Sequence, residues 1–187
     1  MDEWNKYQDE MKLKHPEIFE NASKIQSFYP ETDRGATLIA AAILEEQLTQ
    51  ILYSFLSDSK SAKKLLDGFN APIGQFSSKI HLCHTLGLIE ENEYQQLEGL
   101  RKIRNKFAHS FENINFNTQQ IKDLIHDNLT KITHPSTNMR ELFYNWFITL
   151  NGDLLYRAKE VLTEKRKSKI YKFKPVRNIT FVEVDSF

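Results

Sequence analysis

Arg101-Lys102-Ile103-Arg104-Asn105-Lys106-Phe107-Ala108-His109 places guanidinium groups, a carboxamide and an imidazole within nine consecutive residues. These are the side chains that phosphate chemistry uses. An imidazole takes or gives a proton near pH 7, and a guanidinium is permanently charged and neutralises developing anionic charge. Asn105 can orient either partner, while Lys102 and Lys106 raise the local positive potential. The competing reading is structural: Arg104 as a core-facing ion-pair partner, Asn105 bonded to backbone, and His109 as a cation at a helix C-terminus.

Which reading applies depends on the elements that carry these residues. Six Gly and five Pro, against many Leu, Ile, Glu, Gln and Lys, favour helices. Apolar spacing predicts helices over about residues 16–28, 34–57, 76–86, 90–110, 118–133 and 137–167, with a short helical turn near 61–66. Pro16 suits a first turn, Thr32 or Asp33 an N-cap, and Gly87 a left-handed C-terminal cap. His134-Pro135 breaks the pattern. Residues 176–184 are short, β-branched and partly alternating, which allows one strand. The expected fold is all-α, a compact multi-helix bundle. Its expected parts are an N-terminal helical extension at 1–32, a main domain at 33–167 and a basic, partly extended tail at 168–187.

Two charges conflict with this pattern. In the 90–110 helix, Leu97, Leu100, Ile103, Phe107 and Phe111 share a face, and Arg104 falls within it. Arg101, Asn105 and His109 form the adjoining stripe. In the 34–57 helix, Glu45 lies between Leu38, Ala41, Leu52 and Leu56, while Glu46 points away. A buried unpaired charge is costly. Either Glu45 reaches Arg104 across the helix interface, or both line a cleft or subunit interface and meet water there.

Bulk properties exclude several classes. The 187 residues suffice for one helical domain with a core, and the 40% hydrophobic and 27% charged fractions are those of a globular protein. Net charge is zero, so the whole molecule has no strong attraction to nucleic acid. Cys83 is the single cysteine, which excludes an intrachain disulfide and fits a reducing compartment. The first residues are not a signal peptide, and no apolar run approaches the ~18 residues of a membrane span. The expected location is the cytoplasm.

Several separated motifs occur in an order that resembles the MltR family, the mannitol-operon-repressor-like proteins. They are Arg34-Gly35-Ala36 with Leu44-Glu45-Glu46, then Lys64-Leu65-Leu66-Asp67-Gly68-Phe69, then Pro72-Ile73-Gly74-Gln75-Phe76-Ser77-Ser78-Lys79-Ile80. Leu86-Gly87-Leu88-Ile89, Glu93-Tyr94 and the Arg101–Ser110 stretch complete the resemblance, which covers about residues 34–129. It implies an all-helical fold and a role in transcriptional regulation. The usual parts of a DNA reader are missing: no helix-turn-helix pattern with a basic recognition helix, no zinc-finger spacing and no leading basic arm. A regulator of this kind is expected to act through a protein partner, not through double-stranded DNA on its own.

A broader resemblance is to HEPN domains, whose signature is an Arg, usually followed by Asn, with a His four to six residues after the Arg. Arg104, Asn105 and His109 fit it. In that superfamily the signature often marks a metal-independent endoribonuclease, of toxin or defence type, assembled across a helical dimer. The resemblance implies attack of an RNA 2′-hydroxyl on the neighbouring phosphorus. His109 would be general base or acid, Arg104 would stabilise charge, and Asn105 would orient the phosphate. Glu45, Arg101, Lys102 and Lys106 would support them. Several HEPN-like proteins are not nucleases, so the motif alone does not establish activity.

Three further features bear on partners. Lys165, Arg166, Lys167, Lys169, Lys172 and Lys174 form the strongest basic run, interleaved with Tyr171 and Phe173 as in a single-strand-binding segment. The alternative is a solvated helix end. His81, Cys83 and His84 lack the further ligands a metal site needs, so no metal is expected. No Gly-rich phosphate loop or hydrolase constellation is present, and no cofactor is expected. Phe143, Tyr144, Trp146, Phe147 and Tyr156 exceed what one narrow helix face needs, which points to a homodimer.

Overall fold

The computed structural model describes residues 2–129 and 138–171. The strand allowed at 176–184, the break at His134-Pro135, and Lys172 and Lys174 lie outside them. Among the described residues the chain is all-α: α1 (Asp2–Lys14), α2 (Pro16–Gln26), α3 (Asp33–Phe55), α4 (Lys60–Leu66), α5 (Phe76–Thr85), α6 (Glu91–His109), α7 (Gln119–Leu129) and α8 (Met139–Val161), then a 3-10 turn at Leu162–Glu164. The helix α1 lies within the N-terminal helical extension expected at 1–32, ahead of the helix expected at about 16–28.

Short polar side chains set the helix starts. Thr32 Oγ1 accepts the Gly35 N–H at 3.1 Å and caps α3. Asn138 Oδ1 accepts the Arg140 and Glu141 N–H groups at the start of α8. A reciprocal capping box of Glu90 and Glu93 opens α6. The helix α5 ends as its sequence predicts: Gly87 adopts φ +69°, and the N–H groups of Gly87 and Leu88 return to the carbonyls of His84 and Cys83.

At the centre lies α3, which packs against α5, α6 and α8. It therefore buries residues on several faces, from Ala36, Ala40 and Ala41 to Ile43, Leu44, Leu48, Ile51, Leu52 and Phe55. The alanines let neighbouring helices approach closely. Its main partner α8 contributes Phe143, Trp146 and Phe147, all fully buried. Phe28, which follows α2, stacks on Phe147 at 5.5 Å, and Phe116 stacks on Phe143 at 4.6 Å. Trp146 Nε1 donates to Gln96 Oε1 at 2.7 Å, which satisfies the indole inside the core.

The aromatics of α8 are thus absorbed within one chain. Tyr144 lies against Phe28 and hydrogen-bonds Tyr29, and Tyr156 is the one of the five left mostly to solvent. The surplus arises because α8 is enclosed on more than one face, so it gives no argument for a second subunit.

Two apolar residues depart from the expected faces. Phe111 is wholly exposed, because α6 ends at His109 and Ser110 is extended (φ −86°, ψ 126°), so the helical phase is lost before residue 111. Leu38 is 40% exposed, at the edge of α3.

The helices α6 and α7 pack tightly at Gly99. A Cβ built there would overlap the Cβ of Asn128, whose amide donates to the Leu124 carbonyl within α7. Gly99→Val must push α7 outward. The expected loss is about 1–3 kcal/mol of stability in urea unfolding; a change below about 0.5 kcal/mol would show that the helices are not held at this spacing.

Candidate functional site

The candidate residues sit on the C-terminal half of α6. Leu97, Leu100, Ile103 and Phe107 are its fully buried spine. Lys102, Arg104, Lys106 and His109 are exposed, while Arg101 and Asn105 are half-buried. Arg104 is therefore not inside the apolar sector but at its edge, and Arg104 Nη1 donates to Asn105 Oδ1 at 3.2 Å.

The expected Glu45–Arg104 ion pair is not formed. Glu45 Oε1 instead accepts from Lys79 Nζ at 2.9 Å. The reason lies in α5, whose buried face is Phe76, Lys79, Ile80 and Cys83. That places a lysine on an apolar face that packs against α3. Lys79 is 7% exposed, so its ammonium needs a counter-charge, and Glu45 is the carboxylate in reach. The sequence held this signal: Lys79 stands three residues after Phe76 and four before Cys83, at helical spacing.

The other open reading of Glu45 and Arg104 describes the geometry. Both line a cleft of about 510 Å³, together with Gln75, Phe76, Ser77, Arg101 and Asn105. Arg101 is partly withdrawn from it by a bidentate pair with Glu98, Nε to Oε1 at 2.8 Å and Nη2 to Oε2 at 2.7 Å. The same guanidinium holds the Glu98 carboxyl below its ordinary pKa.

His109 lines a second cleft, of about 520 Å³, with Lys106, Phe111, Glu112, Ile114 and Thr118 among its walls. Asn105 borders both clefts. Within this chain Arg104 and His109 therefore face adjoining hollows, and the carboxylate of Glu45 belongs to the one that His109 does not line. Both clefts are open; the one at Glu45 is mainly polar, and the one at His109 has mixed polar and apolar walls.

The loop after α6 is held from outside. Arg34 Nη2 donates to the carbonyls of Ser110 (3.0 Å) and Glu112 (3.3 Å), on either side of Phe111. Asp33 Oδ2 accepts the Phe116 N–H at 2.8 Å, while Asp33 Oδ1 pairs with Arg140 at 2.6 Å. Arg140 in turn donates to the Glu31 carbonyl at 2.8 Å. Adjacent charges at the start of α3 thus fix the loop, with Phe116 buried and Phe111 projecting into solvent.

The remaining candidates are dispersed. Arg166 closes the chain onto α3: its N–H donates to the Phe55 carbonyl at 2.7 Å, and its guanidinium lies 5.1 Å over the Phe55 ring. Lys165 pairs with Asp58 at 2.8 Å. Lys167 and Lys169 are exposed. His84 meets Glu91 at 3.0 Å and stacks on Tyr94 at 4.3 Å, whereas Cys83 is buried with Sγ 3.8 Å from the Leu48 carbonyl. Among the described residues, no three of His, Cys, Asp and Glu converge on a metal position. No helix among them is long and apolar enough to cross a membrane.

Comparison with known proteins adds the following. The sequence model of the family described as Mannitol repressor, MtlR (the family written MltR above), matches residues 17–165. No curated protein matches. Among solved structures, a chain of the "X-ray structure of the MtlR-HPr complex from Escherichia coli" is similar, with TM-score 0.53 and 19% identity over 77% of this chain and 96% of that one. At that identity the likeness concerns the fold.

Two outcomes follow from this geometry. Lys79→Met strips a half-buried carboxylate of its cation and is expected to cost about 1–3 kcal/mol, whereas Arg104→Ala should stay within about 0.5 kcal/mol; urea unfolding of both variants distinguishes this arrangement from a Glu45–Arg104 clamp, which reverses the order. Burial pushes the Cys83 thiol from 9.0 up to about 12. The folded state thus retains the proton longer than the unfolded chain, so stability present below pH 9 falls as pH rises toward 12. Alkylation of the native protein by iodoacetamide at pH 8 should follow the global unfolding rate; fast stoichiometric labelling would contradict the burial.

Proposed function

Because the chain belongs to the mannitol repressor (MtlR) family, we propose that it is a cytoplasmic transcriptional regulator that works by docking another protein, not by reading DNA itself. The observation that carries this is Phe111. It is wholly exposed, yet its flanking carbonyls are pinned by Arg34. An aromatic ring held out from the surface on an ordered loop costs solvation and gains nothing inside the chain. Such side chains are anchors for a partner's pocket.

The surroundings fit that role. Lys106 and His109 share a cleft with Phe111, and Lys102 and Arg104 extend the positive stripe along α6. The docking face is therefore an apolar anchor with a cationic rim, suited to a protein patch that offers a pocket and carboxylates. The similar solved chain is described as part of an MtlR-HPr complex. We carry that partner to this chain: HPr, or a protein like it, docks on the α6 end and the 110–116 loop.

Nothing in the comparisons supports the endoribonuclease reading of Arg104, Asn105 and His109, and these residues enter the docking face instead. Two assays separate the readings. HPr titrated into the full chain by calorimetry should bind, and Phe111→Ser or Lys106→Glu should weaken binding at least about tenfold, a loss near 1.4 kcal/mol, without lowering the melting temperature. Unchanged affinity in both variants would overturn the docking face. RNA cleavage in EDTA that disappears in both Arg104→Ala and His109→Ala would replace it with the nuclease.

A further inference from the structure

The chain carries no net charge, but its cations are not spread evenly. Residues 58–71 and 162–171 hold six lysines and one arginine against three carboxylates, Asp58, Asp67 and Glu164. The fold brings these two segments together. Arg166 donates its N–H to the carbonyl of Phe55, the last residue of α3, and lays its guanidinium over the Phe55 ring. Lys165 reaches Asp58, in the turn between α3 and α4, at 2.8 Å. Ser59 then caps α4. In that helix Lys60, Lys63 and Lys64 stand at i, i+3 and i+4 and share one face, while Ala62 and Leu66 are buried. The C-terminal run and the lysine face of α4 therefore start from the same corner of the molecule.

Most of these cations are open to solvent. Lys60, Lys63, Lys64, Lys167 and Lys169 are exposed, and none is in an ion pair among the described residues. Asp58 is engaged by Lys165, and Asp67 and Glu164 leave the local balance positive. Each basic segment is followed by an exposed ring: Phe69 on the loop after α4, and Tyr171 two residues past Lys169.

These features select among polyanions. Protein interfaces are depleted in Lys, whereas six of the seven cations here are Lys. A lipid surface calls for an apolar helix face beside the charges. Here α4 has seven residues and buries its Ala62 and Leu66. The exposed apolar side chains Leu65, Phe69, Ile170 and Tyr171 come from α4, a loop and the C-terminal run, not from one helix face. A single-stranded nucleic acid needs cations along its backbone and flat rings for its bases, and both are present.

We propose that the end of the molecule formed by α4, the loop at Phe69 and residues 165–171 binds single-stranded nucleic acid without reading its sequence. Phosphates lie on the lysines, and bases stack on Tyr171 and Phe69. The attraction comes from local charge, which a neutral whole does not cancel at short range. The surface shares no residue with the docking face on α6.

The test is fluorescence anisotropy of the full chain with labelled oligo-U and oligo-dT of about 15 nucleotides. Both should bind saturably, with the logarithm of the binding constant falling linearly against the logarithm of salt concentration between about 50 and 200 mM. Joint Lys60→Gln, Lys63→Gln and Lys64→Gln should weaken binding at least about tenfold and reduce that slope by about 2, for three lost phosphate contacts. Tyr171→Ala should weaken it at least about fivefold and leave the slope unchanged. All four positions are exposed, so the melting temperatures should match that of the parent chain. No binding at the lowest salt, or undiminished affinity in the folded lysine variant, would overturn the proposal. Tighter binding of a duplex of the same length would overturn the single-strand assignment, because stacked bases cannot reach the rings. Retention on phosphatidylserine vesicles without oligonucleotide binding would replace it with a lipid surface.

Discussion

Two neighbouring side chains at the first turn of α3, Asp33 and Arg34, join three parts of the chain that are distant in sequence. The Asp33 carboxylate bridges the guanidinium of Arg140 on α8 and the backbone N–H of Phe116. Arg34 reaches two carbonyls of the loop that follows α6. A loop of this kind ordinarily moves freely, because few of its backbone groups are satisfied by the fold. Here its path is set by charge-assisted hydrogen bonds from a helix buried in the bundle. Such bonds are about twice as strong as neutral ones. The inward turn of Phe116 and the outward turn of Phe111 are two consequences of the same constraint.

That constraint gives the surface its character. An unpinned loop would fold Phe111 back onto the protein or sample many positions, and a partner would have to order it on binding. A pinned loop presents the ring in advance, which lowers the ordering cost of association. In the proposed contact the cations of α6 would add steering more than affinity, since exposed charges are screened by salt. The largely buried Lys79–Glu45 pair belongs to a different level: it fixes α5 against α3 and leaves Arg104 without a carboxylate partner at the cleft edge.

Much of the helical frame was legible in the sequence. The 3.6-residue spacing of Leu44, Leu48, Ile51, Leu52 and Phe55, the cap at Thr32 and the left-handed Gly87 each rest on local rules that tertiary contacts did not override. The charge at Glu45 was legible as a group in need of a partner. Its partner was not, because the geometry of a short helix such as α5 relative to α3 is set by packing rather than by periodicity. Phe111 was misplaced for a local reason: helical phase was extended two residues past the point where the backbone becomes extended. The spread of α8's aromatics over several faces was visible, but whether those faces meet the same chain or another depends on how many helices surround α8. The helix α1 is polar overall, and its apolar residues Trp4, Tyr7 and Met11 are too sparse to stand out beside its charges.

The most direct test of the pinned-loop account is a map of the contact proposed with HPr. Amide shift perturbations on adding unlabelled HPr to the labelled full chain should centre on residues 102–112 and should spread less sharply in Arg34→Ala, where the loop loses its anchor. Perturbations centred on α1 and α2, with residues 102–112 silent, would contradict it.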